Sequence, residues 1–387
     1  MRTPLAWSNL TYERRRLLTA IAGVAFAVLL MFMFRGFENA LYDSQVQLLK
    51  VLNGEIIVVN RLKYTMFIPA QFARRRLYQA QAFDGVEAAY PLYIRDGAAW
   101  KNPETKAVRP LRVLAFNPND PVLTIPEVLA SQTALKLPWT VIVDEKSRTE
   151  VGAVTTGTVT ELAEQQVHVV GTYSLGTDFA SANGNVIMSD QNFLRYFANL
   201  GPEEQSRGLN TVDIGLLRVR PGADVEAIAR TLSDQLPKDV AVLTKPEFVD
   251  MELDYWRNNT AIGFVFTLLT IMSFVVGIIL VYQILYTDVA DHWTQYATLK
   301  AIGYSDRYLL GVVFQQALLL GVMGFIPGYL IALVLYRVTV NATGLLMQMT
   351  LGRGLNILLA TVLMCLVSGA IAIRKVQSAD PAEVFGN

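Results

Sequence analysis

One cysteine, Cys365, stands in 387 residues, which excludes an intrachain disulfide. Histidine is nearly as scarce. His168 and His292 lie far apart in sequence, so a His/Cys metal cluster is excluded, though a carboxylate site is not. Charge is thin as well: Asp, Glu, Lys and Arg make up 17% of the chain, where about 25% is usual for a soluble protein. The 33 basic and 33 acidic residues balance, so nothing electrostatic points to nucleic acid. No Gly-x-x-x-x-Gly-Lys-Ser/Thr occurs, so the chain is not expected to bind and hydrolyse ATP by a P-loop. A Gly-x-Ser-x-Gly elbow and a catalytic carboxylate pair are missing too. The chain reads as a non-enzyme, with no catalytic, cofactor-binding or metal-ligating residue predicted.

What the chain has is long apolar runs. Leu17–Phe34, Ala261–Tyr286, Tyr308–Tyr336 and Gly354–Ile373 contain no acidic or basic residue. A helix rises ~1.5 Å per residue across a hydrocarbon core about 30 Å thick, so each run can span, the first with help from its flanks. The first run is read as an uncleaved anchor, because Ala25-Phe-Ala27 lies inside it and a cut there would leave an apolar stub. Ion and proton pathways usually need ionisable groups in the membrane, and their absence argues against a secondary transporter. In the third run Gly321, Gly324 and Gly328, beside Pro327, allow close helix packing and a kink. Cys365 reads as a small apolar packing residue.

Basic residues near the membrane set the orientation. Arg2, Arg14, Arg15, Arg16, Lys300, Arg307, Arg374 and Lys375 fall on one side, against Arg35, Arg257, Arg337 and Arg353 on the other. Both termini are then cytoplasmic. The expected order is a cytoplasmic segment 1–16, a first span 17–36, an outside domain 37–259 and a second span 260–286. A cytoplasmic loop 287–307, a third span 308–336, an outside loop 337–353, a fourth span 354–373 and a cytoplasmic tail 374–387 complete it.

The outside domain is mildly acidic. Phe37, Leu41, Leu48 and Leu52, then Phe248, Met251, Tyr255 and Ile262, repeat at helical spacing, so the first two spans are expected to continue outward as stalk helices. Glu55–Asn60 reads as a strand, Pro69–Phe83 as a helix and Val86–Ile94 as a strand; Asp213–Arg220, Ala223–Leu236 and Val240–Thr244 repeat the pattern, so 55–95 and 213–244 predict a split ferredoxin-like βαβ module. Residues 96–210, rich in short β runs, predict an inserted and mostly β subdomain, with Asn183-Gly184 as a hairpin turn. His168 reads as a solvent-facing strand residue and Arg74–Arg76 as a solvated helix face. The predicted fold class is thus an α-helical membrane protein with four transmembrane helices and a large α+β domain.

Residues 288–303 between the second and third spans are helical in pattern, with Val289, Trp293, Tyr296, Leu299 or Lys300, and Ile302 or Gly303 near one face. Gly303 is a natural helix stop. Such a helix either lies in the lipid headgroups or docks into a groove on a cytoplasmic partner.

Tyr296-Ala-Thr-Leu-Lys-Ala-Ile-Gly-Tyr304 resembles the coupling-helix signature of the MacB/FtsX superfamily of ABC transporter permeases. The tail Arg374 to Phe385, with its Asp-Pro pair, resembles that superfamily's closing motif. Pro4 to Leu18, Gly23 to Met33 and Asn183 to Phe193 look most like the DevC subgroup of cyanobacterial exporters. One departure is Gln295, where relatives often carry an acidic residue. The resemblance implies that Val289, Trp293, Gln295, Tyr296, Leu299, Lys300, Ile302 and Gly303 form the ATPase-coupling helix. It also implies a homodimer in the cell inner membrane, with its large domain in the periplasm. The partners would be a separate DevA-like ABC ATPase that holds ATP and Mg, a DevB-like periplasmic adaptor, a TolC-like outer-membrane channel and membrane lipid. The expected function is ATP-driven export by mechanotransmission, the cargo a glycolipid or envelope component. Rival readings are FtsX-like control of cell-wall hydrolases and LolC/LolE-like lipoprotein extraction.

Overall fold

The computed structural model describes residues 14–66, 68–178, 183–198, 207–343, 345 and 347–377. In chain order come α1 (Arg14–Gln45), α2 (Gln47–Val51), β1 (Ile56–Asn60), β2 (Phe72–Ala73), α3 (Arg75–Gln81), β3 (Val86–Lys101) and β4 (Val108–Phe116). Next are α4 (Pro126–Ala130), α5 (Gln132–Leu135), β5 (Thr140–Asp144), β6 (Val159–Leu162), β7 (Gln165–Tyr173), β8 (Asn185–Ser189) and α6 (Asp190–Phe197). Then follow β9 (Thr211–Val212), β10 (Ile214–Val219), α7 (Val225–Gln235), β11 (Val240–Thr244) and α8 (Lys245–Asn258). The chain ends in α9 (Ala261–Asp291), α10 (Trp293–Ala301), α11 (Asp306–Thr343) and α12 (Leu351–Gln377). It divides into a mixed α/β unit within Leu41–Thr260 and a helical unit of α1 up to Ala40 with α9 to α12.

In the α/β unit nine strands form one sheet in the order β11-β1-β10-β3-β4-β8-β5-β7-β6. The first four are antiparallel neighbours. Apolar side chains cover both faces: Ile56 and Val58 of β1 point into one core, Ile57 and Val59 into the other. Side chains close the helix starts. Asp224 accepts from the Ala227 amide at the head of α7, and Thr244 and Glu247 form a capping box at α8, with Pro246 in the first turn.

Several details depart from the sequence expectations. The strand expected to end at Ile94 continues to Lys101 through an irregularity between Arg95 and Ala98, where Gly97 takes φ +75°. Glycine enters that region without a Cβ penalty, so the strand bends and carries one sheet across the boundary expected at residue 96. Asn183-Gly184 is no hairpin turn: β8, which follows it, pairs with β4 and β5, not with the preceding β7. The helix expected over 69–83 shortens to α3, because Phe72 and Ala73 pair with β9 instead. The stalks are interrupted: α1 stops at Gln45 and restarts as α2, and α8 stops at Asn258 before α9 begins. Val46 and Asn259 sit near ψ 3°, off the helical value. His168 is exposed on β7. Arg76 of the basic triplet makes a forked ion pair with Asp239.

In the helical unit α1, α9, α11 and α12 are each long and apolar enough to cross a membrane. Small residues let them approach. A Cβ on Gly324 would lie 2.5 Å from the Val24 side chain, one on Gly328 2.8 Å from the Ala25 carbonyl, and one on Gly321 2.9 Å from the Cys365 sulfur. Gly324 and Gly328 therefore pack on α1 and Gly321 on α12, with Cys365 fully buried.

Candidate functional site

The segment between α9 and α11 is built on a hinge at His292. The α9 helix ends at Asp291, and nine residues of α10 follow. The single helix expected over 288–303 is thus two, and Val289 belongs to the first. Val289 is fully buried, packed with Leu309 and Val313 of α11 and with the half-buried Leu299, Leu310 and Phe314. These contacts hold α10 against the start of α11, so Val289 and Leu299 face their own chain.

The end of α10 is a Schellman turn. The Tyr304 amide donates to the Leu299 carbonyl at 3.1 Å and the Gly303 amide to the Lys300 carbonyl at 3.0 Å, with Gly303 at φ +105°. Among the described residues, and apart from its chain neighbours, nothing lies within 4 Å of a Cβ placed on Gly303, so that side of the turn is open. Around it Ile302 is 70% exposed, and the exposed rings of Tyr304 and Tyr308 lie 4.9 Å apart. Gln295 is exposed, while Trp293 and Lys300 are half-buried. The Tyr296 side chain lies outside the described residues, as do the first 13 residues and the tail from 378. Among the described side chains of the segment, Ile302 with Tyr304 and Tyr308 forms an exposed apolar knob.

A second feature, absent from the sequence reading, fixes the hinge. The Asp288 carboxylate is buried, and Gln316 of α11 donates to its Oδ2 at 2.9 Å. The His292 ring sits against the same residue, Nδ1 at 2.9 Å from the Asp288 carbonyl oxygen and 3.6 Å from Oδ1. Arg16 of α1 pairs with Asp291. Asp288 and His292 stand four apart just past an apolar run, and that spacing was the available signal.

These elements coincide with what the chain is similar to. Residues 267–381 match the FtsX-like permease C-terminal family. The match takes in most of α9, then α10, α11 and α12. No curated protein sequence matches the chain. Among solved structures, the periplasmic region of MacB from Actinobacillus actinomycetemcomitans is similar over 55% of this chain and 96% of its own, at 10% identity and TM-score 0.35. The extracellular domain of the noncanonic ABC-type transporter YknZ from Gram-positive bacteria is similar over 49% of this chain and 99% of its own, at 11% identity and TM-score 0.33.

Proposed function

We propose that this chain is the membrane subunit of an ATP-driven exporter, working by mechanotransmission. The observation that carries the reading is the FtsX-like permease match over 267–381, laid on three apolar helices and the short α10 between the first two. In this reading a separate ATPase docks on the Ile302–Tyr308 turn and α10. The Asp288–Gln316 bond and the Val289 cluster transmit its movement to α9 and α11. The unbroken α1, which continues past its apolar run to Gln45, is suited to carry motion outward. Two copies, a periplasmic adaptor and an outer-membrane channel complete the assembly, with both termini cytoplasmic and the cargo a glycolipid or other envelope component, as in the DevC subgroup.

The four-strand order β11-β1-β10-β3, with α3 between β1 and β3 and α7 between β10 and β11, supports a ferredoxin-like module in the outer domain. The remaining strands supply surface for an adaptor, which favours export over hydrolase control. The test is purification in mild detergent from its own membranes. An ATPase with an adaptor and a tunnel protein is the expected set. Recovery of a cell-wall hydrolase or a lipoprotein carrier instead would select one of the rival readings, and sustained ATP turnover by the chain alone would refute the division of labour.

A further inference from the structure

In the helical unit the pairing of Arg16 with Asp291 marks one end of the bundle, and Arg35 and Arg353 mark the other. At that second end the four long helices leave a cavity of about 490 Å³. Its mouth carries Arg35, Arg353, Asn39 and Asn356, while its floor is made by Phe32, Phe274 and Ile357. Arg35 holds Glu38 at 2.7 Å, and Arg353 donates to the Gln348 carbonyl at 2.9 Å. The two arginines and Glu38 together sum to one net positive charge. Ala360 also lines the cavity, so it reaches seven residues down α12 from Arg353, about 10 Å of helix rise. Thr270 lines it too, its hydroxyl buried and without a hydrogen-bond partner among the described residues.

We propose that this cavity binds an anionic glycerophospholipid, its phosphate on Arg35 and Arg353 and the upper part of an acyl chain on Phe32, Phe274 and Ile357. Two guanidiniums above an apolar crevice match that class in both charge and polarity. Guanidinium takes phosphate oxygens in a planar fork, and the apolar floor has no use for a free anion. The volume lies within the range of small-molecule sites. Arginines that merely mark the membrane boundary would show no lipid preference and need no cavity beneath them. The inference rests on the four helices spanning a membrane and does not depend on which ATPase or cargo the protein serves.

The test is native mass spectrometry of the full chain in detergent, with phosphatidylglycerol, phosphatidylcholine of the same acyl chains, or glycerol phosphate added. Retention of phosphatidylglycerol over phosphatidylcholine is expected, with a loss of about tenfold or more in the Arg35→Gln/Arg353→Gln double variant. Arg337→Gln is the control, since Arg337 lines a separate cavity of about 360 Å³ on the other side of Tyr336. Equal retention of both lipids, an unchanged double variant, or an equal loss in the Arg337 control overturns the proposal. So does binding of glycerol phosphate as tight as that of the lipid, which would make the site one for a free anion. Should the double variant not purify as a single species, Ala360→Phe keeps both arginines and fills the floor. It is expected to lose phosphatidylglycerol to the same degree, and retention there refutes the acyl-chain half of the proposal.

Discussion

The Tyr336 hydroxyl occupies the space that a side chain on Gly36 would need: a Cβ there would lie 2.3 Å from that oxygen and 2.5 Å from the ring carbon bearing it. The same hydroxyl donates to the Phe32 carbonyl at 2.6 Å, so α1 and α11 touch backbone to ring at this point. Alanine is favoured over glycine inside a helix by about 1 kcal/mol, which alone would make Gly36→Ala stabilising. Overpacking against a buried ring costs about 1–3 kcal/mol, so packing wins. Gly36→Ala is expected to lower the melting temperature in detergent by a net loss of up to about 2 kcal/mol, and Tyr336→Phe, which loses one hydrogen bond worth about 1 kcal/mol, to lower it as well. A melting temperature raised by Gly36→Ala would show that the two helices are not held by this contact.

In the α/β unit a buried guanidinium balances two carboxylates. Arg112 Nε donates to Asp96 at 2.6 Å and Nη1 to Asp178 at 2.5 Å, with Arg112 and Asp178 both 6% exposed. Arg112→Leu leaves Asp178 buried without its guanidinium, a loss of about 3–5 kcal/mol. Adding Asp178→Leu is expected to recover part of that stability. A double variant no more stable than the single one, in thermal melts of the full chain, would place the cost elsewhere.

Glu252 gives a pH signature. Its carboxylate is fully buried and accepts from Thr65 Oγ1 at 3.0 Å, the Met66 amide at 2.8 Å and Trp256 Nε1 at 2.9 Å. Burial raises its pKa above the ordinary 4.5, against the lowering effect of those donors. A carboxyl whose pKa is raised on folding binds its proton more tightly in the folded state. Stability from this group is therefore greatest below the ordinary value and declines as pH rises toward the raised one. The melting temperature of the native protein, relative to Glu252→Gln, is expected to fall across that interval. A difference that stays flat or grows with pH would contradict the raised value.

The sequence disclosed the spanning helices because uncharged runs of that length seldom recur four times in a soluble chain. It disclosed β1, β10 and β11 because apolar runs bounded by turn residues leave little choice. It hid Glu252 and Asp288, since a single carboxylate looks the same whether it meets water or buried donors. It hid the course of β3, because Asp96-Gly97 reads as a turn and acts as a bulge. Most consequential was the hinge at His292. A helical face drawn unbroken from Val289 to Gly303 puts Val289, Trp293 and Leu299 together, whereas the break places Val289 and Leu299 against α11.

That rearrangement sharpens the test of coupling. If a partner docks on this segment, the residues that matter most are those the chain itself leaves uncovered. Ile302 is 70% exposed, Tyr304 45% and Tyr308 44%, whereas Trp293 is half-buried. Truncating a central apolar anchor of an interface costs about 2–4 kcal/mol, one to three decades in affinity at ~1.4 kcal/mol per tenfold. Ile302→Ala and Tyr304→Ala are expected to reduce ATPase capture by nanodisc-embedded protein about tenfold or more, with no change in melting temperature. Trp293→Ala is expected to lower capture as well, and Thr294→Ala to leave it unchanged. Val289→Ala should behave in the opposite way to Ile302→Ala: it opens a cavity beneath the helix, lowers the melting temperature by an amount fitting a loss of about 1–3 kcal/mol, and weakens capture only through that displacement. A helix that merely rests in the headgroups predicts equal capture by all these variants, because four spanning helices already hold the chain in the bilayer. Capture that survives both Ile302→Ala and Tyr304→Ala while Trp293→Ala abolishes it would return the docking face to the aromatic side of α10 and remove the turn at Gly303 from the interface.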